Sequence, residues 1–139
     1  MSAKIVRVSA KLFTQKAGHL TPLPNAFNIN NSRDLIHKLK DTPVLPHFTL
    51  ASLDVSNLYT KIPVDETRTI FADILKQNLT DPQTQQELLG WYDTITKQNY
   101  FTFNGNTIIQ KEGLAMGAPS SGLIVEIFLQ HIENIHMAR

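Results

Sequence analysis

The Asn104-Gly105 pair restricts this chain more than any other local feature. Two short runs of strand-forming residues flank it, Tyr100 to Phe103 and Asn106 to Ile109. A two-residue hairpin that keeps the right-handed twist of its strands needs positive φ at both turn positions, and Asn-Gly adopts that at low cost. The turn also sets the register. Phe103 should face Asn106 and Phe101 should lie opposite Ile108, which puts Phe101, Phe103 and Ile108 on one apolar face. Antiparallel strands therefore belong to the fold.

Most of the remaining chain reads as helix. Lys4 to Lys16 places Ile5, Val8, Leu12 and Phe13 on one face, with Lys4, Arg7 and Lys11 around it. His19 to Asn31 is a loop containing Pro22 and Pro24. Asn31 or Ser32 can cap a short helix whose apolar face is Leu35, Ile36 and Leu39. Pro43 and Pro46 break it, and a subdomain boundary is expected there, between a basic helical segment 1–47 and a body 48–139. Phe48 to Val55 (FTLASLDV) reads as a buried strand, followed by a loop from Ser56 to Pro63. Asp65 opens a helix carrying Ile70, Phe71, Ile74 and Leu75 on one face. Thr80 or Asp81 caps the next, with Pro82 at its first position and Leu88, Leu89, Tyr92 and Ile95 along its stripe. Gly113 to Gly122 is a turn-rich linker, and Ser120 or Ser121 caps a final helix near 121–136 with Ile124, Ile127, Phe128, Ile132 and Ile135. The fold class expected is α+β.

Composition narrows the function. A chain of 139 residues is one domain or a piece of one. The lack of cysteine excludes a disulfide scaffold, a cysteine-based zinc ribbon and a catalytic thiol. No apolar run reaches the roughly 18 residues that span a bilayer, so no membrane partner is expected. Met1 to Gly18 lacks the apolar core of a secretory signal, and an intracellular chain is expected, nucleus or cytoplasm undecided. The first helix also fits a mitochondrial presequence. Residues 1–40 carry seven Lys/Arg and one acid, a balance of +6, while residues 41–139 carry six Lys/Arg and eleven acids, a balance of −5. A basic arm of this kind suits a polyanion, although a solvated face explains the same bias.

Asp54 ends the apolar run 48–55 and precedes a loop. A carboxylate at a strand end, facing a crevice, can hold a hard cation such as Mg²⁺. It can equally do no more than accept hydrogen bonds from nearby backbone N–H groups. The downstream stretch Gly113-Leu-Ala-Met-Gly-Ala-Pro-Ser-Ser offers positive φ or close backbone approach at its glycines and a fixed exit at Pro119. It has neither the Lys of a P-loop nor the dinucleotide-binding fingerprint. His131 and His136 are five apart, not the four that would set two metal ligands on one helical face.

Taken together, these segments resemble the reverse transcriptase domain, and most closely that of Penelope-like retroelements. Ser52 to Pro63 (SLDVSNLYTKIP) is similar to the family's motif A, Asn99 to Gln110 (NYFTFNGNTIIQ) to the hairpin before motif B, and Glu112 to His131 (EGLAMGAPSSGLIVEIFLQH) to motif B and its helix. The resemblance runs from about Ser9 to Glu133. It implies a partial right-hand polymerase palm over 48–139, with 1–47 a remnant of fingers or connector. It implies that Asp54 is the first carboxylate of a two-metal nucleotidyl-transfer site, with the Val55 carbonyl reaching a Mg²⁺ ion. Tyr59 would lie under the sugar of the incoming nucleotide and exclude a 2′-hydroxyl. Gly113, Gly117 and Pro119 would shape the loop beneath the nascent base pair, and Ser121 matches the serine at the start of the following helix. The implied partners are an RNA template, a DNA primer, deoxynucleoside triphosphates and the missing palm and thumb segments.

This sequence departs from the pattern in three places. Gly122 stands where a proline is usual and Ser120 where a leucine is usual. The third departure is the absence of the family's aromatic-x-Asp-Asp after motif B: no Asp follows Asp93 and no Asp-Asp pair occurs. Glu126 and Glu133 lie on the expected helix and do not imitate a hairpin tip. The chain reads as cut rather than finished, and its sheet is expected to have an unpaired edge. The expected function is therefore that of a reverse transcriptase fragment, an RNA-directed DNA polymerase by family but without activity alone. The alternative is a non-catalytic RNA-binding or protein-interaction module derived from a palm.

Overall fold

The computed structural model describes residues 3–20, 29, 31–78 and 81–137. It is an α+β fold of six helices and one two-stranded antiparallel sheet among those residues. The order is α1 (Ala3–Leu20), α2 (Ser32–Leu39), α3 (Leu58–Lys61), α4 (Val64–Asn78), α5 (Pro82–Lys97), β1 (Tyr100–Phe103), β2 (Asn106–Ile109) and α6 (Ser121–Met137). Most of the expected loop around Pro22 and Pro24, the cap candidate Thr80 and the side chain of Ile5 lie outside the described residues.

The hairpin forms as its turn dictates. Asn104 and Gly105 have φ of 50° and 76°. The register pairs Phe103 with Asn106 and Phe101 with Ile108. One further rung follows, where the Gln110 N–H donates to the Asn99 carbonyl at 2.8 Å.

The helices build the core. Asp81 caps α5, its carboxylate accepting the backbone N–H groups of Gln83 and Thr84, both at 3.1 Å. The Thr84 hydroxyl donates to the same carboxylate; that bond first, then the two N–H groups, holds Asp81 below its ordinary pKa. α5 then buries Leu88, Tyr92 and Ile95. α4 buries Thr67, Ile70, Phe71 and Leu75, and α6 buries Ile124, Val125 and Ile127. At the centre the Phe13 ring stands edge-on to Phe71 and Tyr92, with centroids 5.6 and 6.3 Å away, while Phe71 and Tyr92 stack at 5.9 Å. The buried Tyr92 hydroxyl donates to the Val64 carbonyl at 2.8 Å. Burial first, then the charges of Asp65 and Asp93, raises the pKa of this phenol. Arg68 reaches across from α4 and grips Asp93 of α5 with two bonds of 2.7 and 3.0 Å. That contact raises the guanidinium pKa.

Three sequence expectations need correction. In α1, Val8 and Leu12 are exposed, and the buried face is Ala10, Phe13 and Ala17. The two alanines leave room for α1 to lie close against α5. α2 forms with Asn31 as its cap, but Leu35, Ile36 and Leu39 face solvent. The largest change concerns Phe48 to Val55. It forms no strand and is exposed along its length, Leu50 and Leu53 almost completely so, at 99% and 96%. A strand is held by hydrogen bonds to a neighbour, and β1 and β2 bond only to each other among the described residues. Strand-forming side chains cannot substitute for the missing ladder.

Candidate functional site

The two segments singled out in the sequence, 54–63 and 113–121, meet in the fold. Asn57 enters the left-handed region at φ 55° and turns the chain into the single helical turn α3. Its carbonyl accepts the N–H groups of Thr60 and Lys61, both at 3.1 Å, and the Thr60 hydroxyl at 3.0 Å. This turn presents the Tyr59 carbonyl outward along the chain's second segment. The Leu114 N–H donates to it at 2.7 Å.

Gly113 makes that approach possible. Its φ is +69°, and a Cβ built on it would stand 2.5 Å from the Thr60 Cα and 2.6 Å from the Thr60 carbonyl carbon and oxygen. No side chain fits there. Gln110 holds the loop from the other side, its amide nitrogen donating to the carbonyls of Glu112 at 2.8 Å and Leu114 at 3.3 Å. Gly117 also has positive φ, at +82°, but a Cβ there would meet nothing within 4 Å. Its glycine answers to backbone conformation alone.

The loop ends in consecutive turns. The N–H of Ala118 bonds to the Ala115 carbonyl and that of Ser121 to the Ala118 carbonyl. The Ser121 hydroxyl donates to the Ala115 carbonyl at 2.8 Å, so this serine ties the loop to the first residue of α6. Ser120 is fully buried and its hydroxyl has no partner. The Thr14 hydroxyl of α1 reaches both the Ala10 carbonyl at 2.9 Å and the Pro119 carbonyl at 3.2 Å. Beside the loop lies an open groove of about 770 Å³, walled by Ala115–Pro119, the face of the hairpin and the end of α5. A smaller recess of about 260 Å³ lies between Thr60–Asp65 and Lys111–Gly113.

The expected site residues thus fall into two groups. Tyr59 and the loop that carries Gly113, Gly117, Pro119 and Ser121 meet at the Leu114–Tyr59 bond and the Gly113–Thr60 approach, with Tyr59 half-buried and Ser121 bonded back to Ala115. Asp54 and Val55 do not join it: both are exposed, in the segment before α3 that forms no strand, and neither lines either of these two recesses. Among the described residues no three His, Asp or Glu side chains gather in a way that holds a metal ion. One exposed carboxylate on irregular chain does not hold two divalent cations, so these residues do not fit the Mg²⁺ pair that the resemblance implies.

The junction and its loop also depend on residues that sequence reading passed over. Asn57 carried a signal, since Asn is the side chain that most readily enters the left-handed region. Gln110, Leu114 and Thr14 carried none, because their role is set by partners distant in the chain. No helix of the described residues is long and apolar enough to cross a membrane. Comparison with protein-family models, with curated proteins and with solved structures finds no match to this chain.

Proposed function

We propose that the chain is the motif A and motif B portion of a retroelement reverse transcriptase palm, Penelope-like in its motifs and catalytically incomplete as it stands. One observation carries the reading. The two motif-bearing segments, more than fifty residues apart, meet backbone to backbone through the Leu114–Tyr59 bond of 2.7 Å and the Gly113–Thr60 contact. A nucleotide-binding palm needs such a junction, because one segment must lie beside the sugar and the other beneath the base. On this reading Tyr59 selects deoxynucleotides by bulk, and the loop from Gly113 to Ser121 supports template and base pair. Asp54 is the first of the carboxylates, and the second set lies on chain that is not in this sequence. No transfer step belongs to the 139 residues alone. The partners are then an RNA template, a DNA primer, deoxynucleoside triphosphates and the rest of the palm and thumb.

The test is the transcript and genomic sequence past Arg139. An in-frame aromatic-x-Asp-Asp is expected, and the longer chain should extend a primer on RNA with Mg²⁺, an activity lost in Asp54→Asn. A stop codon in both sequences would overturn the polymerase reading for the intact gene. Mg²⁺-dependent synthesis by the 139 residues alone would overturn the incompleteness. The exposure of Asp54, away from any metal-binding group, favours a second reading, a palm-derived RNA-binding module acting through the basic first 40 residues. Its affinity for a mixed-sequence RNA should then fall steeply between about 50 and 200 mM salt.

A further inference from the structure

One face of α6 carries a polar stripe that the fold leaves unfinished. Glu126, Gln130 and Glu133 stand four and three residues apart, which sets them on one side of the helix. Gln130 is buried, with 6% of its surface exposed. Its amide nitrogen donates to Glu126 Oε1. That bond fixes the amide, because turning it over would set oxygen against oxygen. Gln130 Oε1 is then buried without a donor, and so is Glu133 Oε2 on the next turn. Buried acceptors are nearly always satisfied, so two such oxygens on one face mark the place of a donor.

The neighbouring elements do not provide it. α6 packs against α4 and α3. The basic side chains of α4 are engaged elsewhere, Arg68 with Asp93 and Lys76 with Asp73. Glu133 belongs to none of the ion pairs of the described residues, so an incoming cation displaces no existing one. The acceptors themselves define the group that suits them. It brings two donors, carries positive charge to meet a carboxylate, and tolerates burial. A calcium or magnesium ion takes about six or more oxygens, and the described residues gather no set of side chains that would hold one. A lysine ammonium is a compact, strongly hydrated point charge. A guanidinium is more weakly hydrated, and its forked N–H groups meet two oxygens at once. Side chains three apart on a helix stand about 5–6 Å from each other at Cβ, within the span of that fork.

We propose that this face of α6 is a docking site for an arginine side chain of a partner polypeptide. Gln130 Oε1 and Glu133 Oε2 accept its guanidinium, and Glu126 holds the amide in the orientation that presents Oε1. The site lies beyond the 113–121 loop on α6 and does not depend on the polymerase reading.

Titration of the full chain with acetyl-Ala-Arg-Ala-amide to about 20 mM, followed by ¹H–¹⁵N NMR, tests it. The side-chain amide signals of Gln130 and the backbone signals of 130–134 should shift and saturate. The matching lysine peptide should bind at least about threefold more weakly. The citrulline peptide, which keeps the shape and lacks the charge, should leave these signals in place. Glu133→Gln should weaken the arginine peptide at least about tenfold. Glu87→Gln, at an exposed carboxylate of α5, should not change it. The three peptides are compared on the unaltered chain, so they decide the matter even where Glu133→Gln fails to fold. Absence of a saturable shift, equal binding of the lysine or citrulline peptide, shifts spread over carboxylates throughout the chain, or a folded Glu133→Gln that binds as before would overturn the proposal.

Discussion

Substituting Gly113 by alanine tests the junction between the two motif-bearing segments directly. The new methyl would sit 2.5 Å from the Thr60 Cα, well inside contact distance, against backbone that cannot rotate away. The φ of +69° adds a left-handed penalty of about 1–2 kcal/mol. Relief of the overlap requires the loop and α3 to separate, which costs about 1–3 kcal/mol as overpacking and about 1 kcal/mol for the Leu114–Tyr59 bond. The loss expected is about 3–6 kcal/mol. For a chain of this length that lowers Tm by roughly 10–20 °C. Gly117→Ala supplies the control, since it has the same sign of φ and open space around it. It should lose only the backbone penalty, about 1–2 kcal/mol, or roughly 4–7 °C. Thermal melts followed at 222 nm measure both. If Gly113→Ala melted no lower than Gly117→Ala, the close approach would be refuted, and with it the observation on which the proposed function rests.

Other expectations follow from the helices. Gly90 lies in the middle of α5 with nothing within 4 Å of a built Cβ, so Gly90→Ala should stabilise the chain by about 0.5–1 kcal/mol in chemical denaturation. Tyr92 has a raised pKa in the fold, so above the ordinary tyrosine value near 10 the unfolded chain gives up this proton first. Stability should therefore be complete below about pH 10 and fall as pH rises further, and Tyr92→Phe should flatten that limb of a Tm–pH curve. Asp81 has a lowered pKa, so its capping contribution is present at neutral pH and is lost as pH falls through the acid range below 3.8. Asp81→Ala should lower Tm at pH 7 and leave it little changed at pH 2.

Legibility in the sequence tracked how local the cause of each feature was. The hairpin register and the Asp81 cap depend on neighbours a few residues away, and both formed as read. The stripes of α4 and α5 were legible for the same reason, through Ile70, Phe71, Leu75, Leu88, Tyr92 and Ile95. α6 followed its pattern at Ile124 and Ile127 but not at Ile135, which is exposed near the helix end. Phe48 to Val55 failed because a strand needs a partner, and side-chain composition does not say whether one exists. In α1 the larger residues Val8 and Leu12 drew the reading away from Ala10 and Ala17, whose small size is what α5 requires. Within the candidate site, Gly113 was marked for close approach, yet only the fold names Thr60 as the group approached. Asp54 was legible as a carboxylate and not as an exposed one, since exposure is a property of everything packed around it.

The position of Phe13 bears on how the chain is made. Its ring stands edge-on against the stacked pair of Phe71 and Tyr92, and Tyr92 leaves the ribosome about 80 residues later. At bacterial or eukaryotic elongation speeds that interval lasts about 4–16 s. For all of that time α1 is a finished amphipathic segment with no docking site, a natural client for chaperones that bind nascent chains. Assembly of the core is thus timed by translation of α5, and a stall before residue 92 would leave the first helix stranded.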